Sequence, residues 1–118
     1  MSVGEMDSAQ WEEAIMLSIP ILRDFLKEDY ILVGGASLAL LGFRRTTHDI
    51  DALVRAESIP YILSRADPRH FAVEDGKLFV IAGPYRVQVD LLTELSTGQS
   101  FEDLMPVSET ADGTKTPP

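Results

Sequence analysis

Two aspartates, Asp49 and Asp51, are placed where a divalent cation could bind both. Asp49 and Asp51 flank Ile50 at the start of an apolar stretch, and Asp90 lies in a second stretch in which polar and apolar residues alternate. Because side chains of a strand alternate between its faces, Asp49 and Asp51 project on one side. Two neighbouring carboxylates repel each other, and a divalent cation that neutralises them would stabilise the pair. An ordinary solvated strand end is the alternative for either motif taken alone.

The residues before the aspartate pair predict a strand, a turn and a helix. The apolar run at 30–33 is typical of a buried strand, and Gly34-Gly35 ends it. Residues 36–41 favour a helix, and Gly42 stands where a capping glycine is common. We therefore expect a strand–helix–strand unit in which the glycine pair begins the helix and the aspartate pair begins the second strand.

The rest of the chain predicts further helices and strands. Asp7 or Ser8 can cap an N-terminal helix with an apolar stripe, which Pro20 should kink or restart. Other elements are expected at 59–66 (a helix capped by Ser58), 70–73 and 77–82 (strands joined by an Asp75-Gly76 hairpin turn) and 85–92 (a strand). Residues 93–118 lack periodicity and are expected to be a loop-like or disordered tail.

Alternation along two of these strands divides the predicted sheet into an apolar and a polar face. The apolar face carries Ile50, Ala52, Val54, Val87, Val89 and Leu91. That face needs helices over it, whereas the face with the three aspartates must stay open to solvent or ligand. We therefore predict an α+β fold, a mixed β-sheet with helices packed on one face.

The composition limits the classes of function. The chain has 118 residues, the length of one domain, and a formal net charge of −9 with a pI near 4.5. This charge argues against a general nucleic-acid footprint but is compatible with a small nucleotide that carries its own cation. The lack of cysteine excludes disulfides, thiolate metal sites and a cysteine nucleophile. An apolar N-terminal stretch that follows acidic residues and contains Pro20 favours neither a signal peptide nor a membrane span, so we expect no membrane partner and a cytoplasmic location.

Together these motifs resemble the nucleotidyltransferase superfamily, which has the polymerase-β-like fold. The pattern of that family is Gly-Gly or Gly-Ser, an Asp-x-Asp strand and a third carboxylate on a neighbouring strand. In this chain the motifs follow in that order: Gly34-Gly35, Asp49-Ile50-Asp51 and Val89-Asp90-Leu91. The variant Arg45-x-Thr47-x-Asp49 is similar to the branch of small-molecule nucleotidyltransferases and abortive-infection toxins. The resemblance implies a nucleotidyltransferase-like domain over residues 1–92.

The resemblance also implies a reaction and a set of site residues. The reaction would be a Mg²⁺-dependent transfer of a nucleoside monophosphate from an NTP to a hydroxyl, with Mn²⁺ as an alternative cation. Asp49 and Asp51 would hold the nucleotide-bound cation and share a second one with Asp90. Asp90 would also take the proton of the acceptor hydroxyl or hold it deprotonated. The residues expected to bind the nucleotide are Gly34, Gly35, Ser37, Arg45 and Thr47.

Several alternatives remain open at the level of sequence. The acceptor could be a small molecule, a protein side chain or the end of a tRNA. A non-catalytic module of the same fold would bind nucleotide or a partner protein, and a metal-dependent glycosyltransferase also uses Asp-x-Asp but typically needs a larger domain. Because little apolar sequence follows Leu92, we expect full activity to require a partner subunit, a homodimer across the open face or a further C-terminal segment.

Overall fold

The computed structural model describes residues 6–42 and 47–118, which form an α+β fold of four α-helices and seven β-strands. In chain order the elements are α1 (Ser8–Leu26), β1 (Ile31–Val33), α2 (Gly34–Leu40), β2 (Asp49–Leu53), α3 (Ile59–Arg65), β3 (Phe71–Glu74), β4 (Lys77–Ala82), β5 (Tyr85–Leu92), α4 (Phe101–Leu104), β6 (Glu109–Ala111) and β7 (Thr114–Thr116). Short 3-10 turns at Ala56–Ser58 and Met105–Val107 precede α3 and follow α4. None of the described helices combines the length and the apolar character needed to cross a membrane.

Five of the strands form one mixed sheet in the order β1-β2-β5-β4-β3, while β6 and β7 form a separate hairpin. β2 and β5 are parallel neighbours, and the other pairs in the sheet are antiparallel. The register places Ile50 beside Val89 and Asp51 beside Asp90. The predicted mixed sheet is therefore confirmed, and the two strands that carry the aspartates are direct neighbours.

The predicted apolar face of this sheet is the main core of the protein. Ile50, Ala52, Val54 and Val87 are fully buried there, and Val89 is nearly so. α1, α2 and α3 cover this face and contribute side chains to the same cluster. The alternation in the sequence thus predicts correctly which side of β2 and β5 faces the helices.

α1 is one helix that runs through Pro20. It begins with a capping box, in which the Asp7 carboxylate accepts from the N–H of Gln10 and the Gln10 side chain accepts from the N–H of Asp7. The expected restart at Pro20 does not occur. Seven residues of the helix are buried, and each large buried aliphatic side chain contributes about 2 kcal/mol. Together these contributions exceed the cost of about 3 kcal/mol for an internal proline.

The hairpin predicted between β3 and β4 is confirmed. Asp75 and Gly76 both have positive φ, 52° and 73°, as a two-residue turn of type I′ requires. Asp75 and the glycine after it adopt this conformation readily, so the local sequence sets the register of the two strands. Phe71 therefore pairs with Val80 and packs into the main core.

A second cluster of buried residues lies beside β1, apart from the main core. Ile31, Val33 and Leu53 pack there against Phe101 and Leu104 of α4. This differs from the loop-like or disordered tail expected for residues 93–118, and α4 departs from the expectation of helices on one face. The segment is too short for visible periodicity, but its two apolar anchors fill the surface that β1 and the end of β2 leave uncovered.

Polar contacts over long sequence separations also hold this segment in place. The Arg55 guanidinium lies 3.1 Å from the Glu102 carboxylate and 4.3 Å from the centre of the Phe101 ring. The Arg23 guanidinium donates to the backbone carbonyl of Asp112 at 2.8 Å. Residues after β5 are therefore attached both to the segment that follows β2 and to α1.

We expect Phe101→Ala to lower the free energy of unfolding by about 3 kcal/mol, because truncation of a buried aromatic side chain leaves a cavity. Phe101 is 1% exposed. Urea unfolding followed by circular dichroism measures the change. Val107→Ala is the matched control, since Val107 is 54% exposed and its truncation should change stability by no more than about 0.5 kcal/mol. Equal stabilities of the two variants would contradict the packing of α4 on the sheet.

Candidate functional site

The three aspartates predicted to act together lie side by side on the face of the sheet opposite α1. Asp49 and Asp51 come from β2 and Asp90 comes from β5, and all three are half-buried. One carboxylate oxygen from each residue lies within 4.8 Å of the other two. The parallel register produces this arrangement, because it sets Asp51 directly beside Asp90 and Asp49 beside Gln88.

Burial and repulsion from neighbouring carboxylates both disfavour the charged forms of Asp49 and Asp51. Burial, followed by the charges of Asp49 and Asp90, raises the pKa of Asp51 to about 6. Burial also raises the pKa of Asp49, followed by its hydrogen bond with Asp90 and the charge of Asp90. Near neutral pH the folded protein therefore holds closely spaced negative charges that a cation would stabilise.

Gln88 supports this cluster and was not predicted from the sequence. Its side-chain Nε2 donates to the Asp90 carboxylate oxygen Oδ1 at 2.8 Å. Alternation along β5 places Gln88 on the same face as Asp90, and that pattern is the only signal that could have indicated it. This hydrogen bond fixes the orientation of the Asp90 carboxylate within the cluster.

The glycine pair is required by close approach of the backbone to β2. Gly34 has φ +67°, and a Cβ atom there would lie 2.7 Å from the Oδ2 atom of Asp51. A Cβ atom at Gly35 would lie 2.9 Å from the Cβ atom of Thr47. Only glycine permits both the left-handed conformation and this contact at position 34. The start of α2 therefore lies directly against the aspartate cluster.

The other residues expected to bind nucleotide differ in their placement. Thr47 is half-buried beside Gly35, and its hydroxyl donates to the Asp49 carbonyl at 3.1 Å. Ser37 is 6% exposed, and its hydroxyl donates to the Gly34 carbonyl at 2.8 Å, so it contacts its own helix. Arg45 lies outside the described residues. The structure thus brings Gly34, Gly35 and Thr47 to the edge of the cluster.

The chemistry of the three side chains fits a hard divalent cation. Carboxylate oxygens are the ligands that Mg²⁺ and Mn²⁺ prefer, and three within 4.8 Å can share one ion or two neighbouring ions. Within residues 6–42 and 47–118, no lysine or arginine forms an ion pair with Asp49, Asp51 or Asp90. In the described part of the chain, therefore, no lysine or arginine ion pair relieves the repulsion among these carboxylates.

Two cavities lie on the helical side of the sheet rather than at the aspartates. One of about 410 Å³ is lined by residues that include Phe25, Tyr61 and Arg65, between α1 and α3. The other, of about 310 Å³, is lined by residues that include Phe25, His70 and Phe71. The aspartate cluster itself lies on the open sheet face, which suits a ligand that approaches from solvent.

Comparisons of the chain with protein-family models, with curated proteins and with solved structures gave no significant match.

The pH dependence of stability tests the crowding of these carboxylates. Between about pH 4 and pH 6, folded Asp51 holds a proton that the unfolded chain has released, so the free energy of unfolding should fall as pH rises through about 6. Asp51→Asn should flatten this fall and raise the melting temperature near pH 7.5 without added cation. Thermal unfolding from pH 4.5 to 7.5 measures both effects.

Asp75→Asn is the control for this series, because Asp75 lies in the β3–β4 turn, where asparagine adopts the same positive φ. It should keep the pH dependence of the wild type. If Asp51→Asn has the same pH dependence as the wild type, the carboxylates do not repel each other as described.

Gly34→Ala should weaken cation binding, because its Cβ atom would displace the Asp51 carboxylate. Gly83→Ala is a matched control: Gly83 has φ +57°, but a Cβ atom there meets nothing within 4 Å. Both variants should lose stability from the positive φ. Only Gly34→Ala should also raise the dissociation constant for Mg²⁺, by about tenfold, as measured by calorimetric titration. Equal dissociation constants for the two variants would contradict a role of the glycine contact at the site.

Proposed function

We propose that this chain is a Mg²⁺-dependent nucleotidyltransferase that moves a nucleoside monophosphate from an NTP to a hydroxyl acceptor. The observation that supports it best is the convergence of Asp49, Asp51 and Asp90 within 4.8 Å on neighbouring parallel strands. The contact between Gly34 and Asp51 adds to this support, because it keeps the start of α2 free of side chain where a triphosphate would approach. The nucleotidyltransferase resemblance of the sequence motifs agrees with the same reaction.

In the proposed reaction the acceptor hydroxyl oxygen attacks the α-phosphorus in line, a new P–O bond forms, and the bond to the β-phosphate oxygen breaks, so that pyrophosphate leaves. Asp49 and Asp51 would hold the divalent cation, which would supply positive charge to the attacking and leaving oxygens. Asp51 also lies against the backbone of Gly34, where the phosphates would approach. The raised pKa of Asp51 implies that binding of the cation releases protons when the carboxylates charge.

Asp90 has a different duty in this proposal. It takes the proton of the acceptor hydroxyl, or holds the hydroxyl deprotonated, as the new P–O bond forms. Its Oδ1 atom accepts a hydrogen bond from Gln88, which fixes the orientation of the carboxylate. Gln88 is thus a positioning residue for Asp90.

The neighbouring surfaces suggest where substrate lies. Leu53 and Leu92 follow Asp51 and Asp90 by two residues, on the same face, and belong to the cluster that includes α4. α4 therefore borders the aspartates about 7 Å further along the strands. In the other direction the face continues to Gln88 and to Arg86, whose guanidinium lies 4.2 Å from the centre of the Phe79 ring. This open side is where we place the acceptor.

A module that binds nucleotide without transfer is the second candidate. The hydroxyl of Ser37 favours it, because that group donates to the Gly34 carbonyl instead of facing the cluster. A site without that phosphate contact would bind NTP and cation more weakly. Binding without turnover in the experiment below would favour this candidate.

Transfer from α-labelled NTPs is the direct test of the function. Purified chain, Mg²⁺ and each of the four NTPs are incubated with cell extract as the source of acceptor, and label attached to any product is measured. We expect the wild type to transfer slowly from at least one NTP, because full activity is expected to require a partner subunit, a homodimer or a further C-terminal segment. Asp90→Asn should bind that NTP normally, yet transfer at least about a hundredfold more slowly, because it lacks the proton acceptor.

Asp75→Asn serves again as the control and should transfer at the rate of the wild type. Transfer by Asp90→Asn at that rate would contradict the role of the third carboxylate. If the wild type transfers no label but binds NTP with Mg²⁺, the enzyme proposal is wrong and the binding module remains. If it binds neither NTP nor Mg²⁺, both candidates are wrong.

A further inference from the structure

A stacked pair of aromatic rings lies on the helical side of the sheet, at the residue that directly precedes the aspartate cluster. The rings of Trp11 on α1 and His48 are 4.4 Å apart between centroids and 16° from parallel. Trp11 is buried, whereas His48 is exposed on its other side. His48 directly precedes Asp49, so the stack holds the chain at the point where β2 begins.

Asp49 needs such support because strand pairing holds it on one side only. β1 pairs with residues 51–53 of β2, so Asp49 and Ile50 extend beyond the end of β1. Among the residues that the structure describes, the strand partner of Asp49 is Gln88 of β5. A strand residue with one ladder neighbour at the start of a strand has more freedom to move than an interior one.

Thr47 and His48, the two residues before Asp49, make contacts that hold the backbone of Asp49 in place. Thr47 lies against Gly35 on one side, and its hydroxyl donates to the Asp49 carbonyl. His48 is held through Trp11, whose helix is fixed by the capping box at Asp7. The N–H of Trp11 donates to the Asp7 carbonyl at 3.0 Å, so the indole lies in the first turn of a well-anchored helix.

We propose that the Trp11–His48 stack positions Asp49 and thereby sets the affinity of the aspartate cluster for a divalent cation. This inference rests on the cation site of the proposed function. His48 is then a positioning residue whose flat ring matters. The same ring also covers the indole of Trp11. A ring that only covered the core would affect stability and leave cation binding unchanged.

The experiment compares three variants with the wild type. His48→Ala removes the stack, His48→Phe keeps a flat ring, and Phe25→Ala removes a different aromatic pair between α1 and the sheet, since the Phe25 and Phe71 rings are 4.8 Å apart. The dissociation constant for Mg²⁺ is measured by calorimetric titration at a temperature at which all four proteins are folded. Trp11 is the single tryptophan of the chain, so its fluorescence reports the same titration at the stack.

We expect His48→Ala to bind Mg²⁺ about tenfold more weakly, as is typical for loss of a group that orients a ligand. His48→Phe and Phe25→Ala should bind like the wild type, although Phe25→Ala also loses stability. In the wild type the Trp11 emission should change with the same midpoint as the calorimetric titration.

Two results would overturn the positioning role alone: His48→Ala that binds Mg²⁺ as tightly as the wild type, or Phe25→Ala that loses as much affinity as His48→Ala. The first would leave the stack as a cover for the core, and the second would reduce it to a general effect of stability. A wild-type chain that does not bind Mg²⁺ would instead overturn the cation site and the positioning role together.

Discussion

The parallel pairing of β2 with β5 is the constraint on which the rest of this structure depends. It places three carboxylates together on one face of the sheet, where burial and like charge both oppose the ionisation of Asp49 and Asp51. The same pairing places Ile50 beside Val89 in the main core on the opposite face. A slip of one residue would turn the aspartates into the core and the apolar side chains out to water. Core burial therefore holds the charged groups together against their repulsion.

One face of the sheet stabilises the fold, and the other carries the candidate site. Three helices cover one face and supply the apolar burial, while on the other face α4 is the described helix that packs, and it lies beside β1. The aspartates occupy the border between the covered and the open part, with Leu53 and Leu92 as their neighbours on the covered side. Water is partly excluded from such a border, which strengthens electrostatic interactions there, and a ligand can still reach it from solvent.

The sequence predicts well those features that depend on neighbouring residues in the chain. Alternation along β2 and β5 assigns each side chain to the correct face, and the Asp75-Gly76 pair predicts its turn. It does not predict the role of Gln88, because a hydrogen bond between an amide and a carboxylate two residues further along the same strand has no sequence pattern of its own. The packing of Phe101 was also missed, because two anchors in an irregular segment show no period. Pro20 does not restart the helix, because local propensity is weaker than the burial of a whole helix.

The long-range attachment of the segment after β5 has a consequence during synthesis of the chain. Arg23 and the carbonyl it contacts at Asp112 are 89 residues apart, and Ile31 is covered by Phe101. The helical core can form from residues up to 92, but the apolar surface of β1 stays open until residues beyond 100 have left the ribosome. Contacts of such separation form late. During that interval a nascent chain exposes Ile31, Val33 and Leu53 as one apolar surface. We expect a chaperone to bind to this surface.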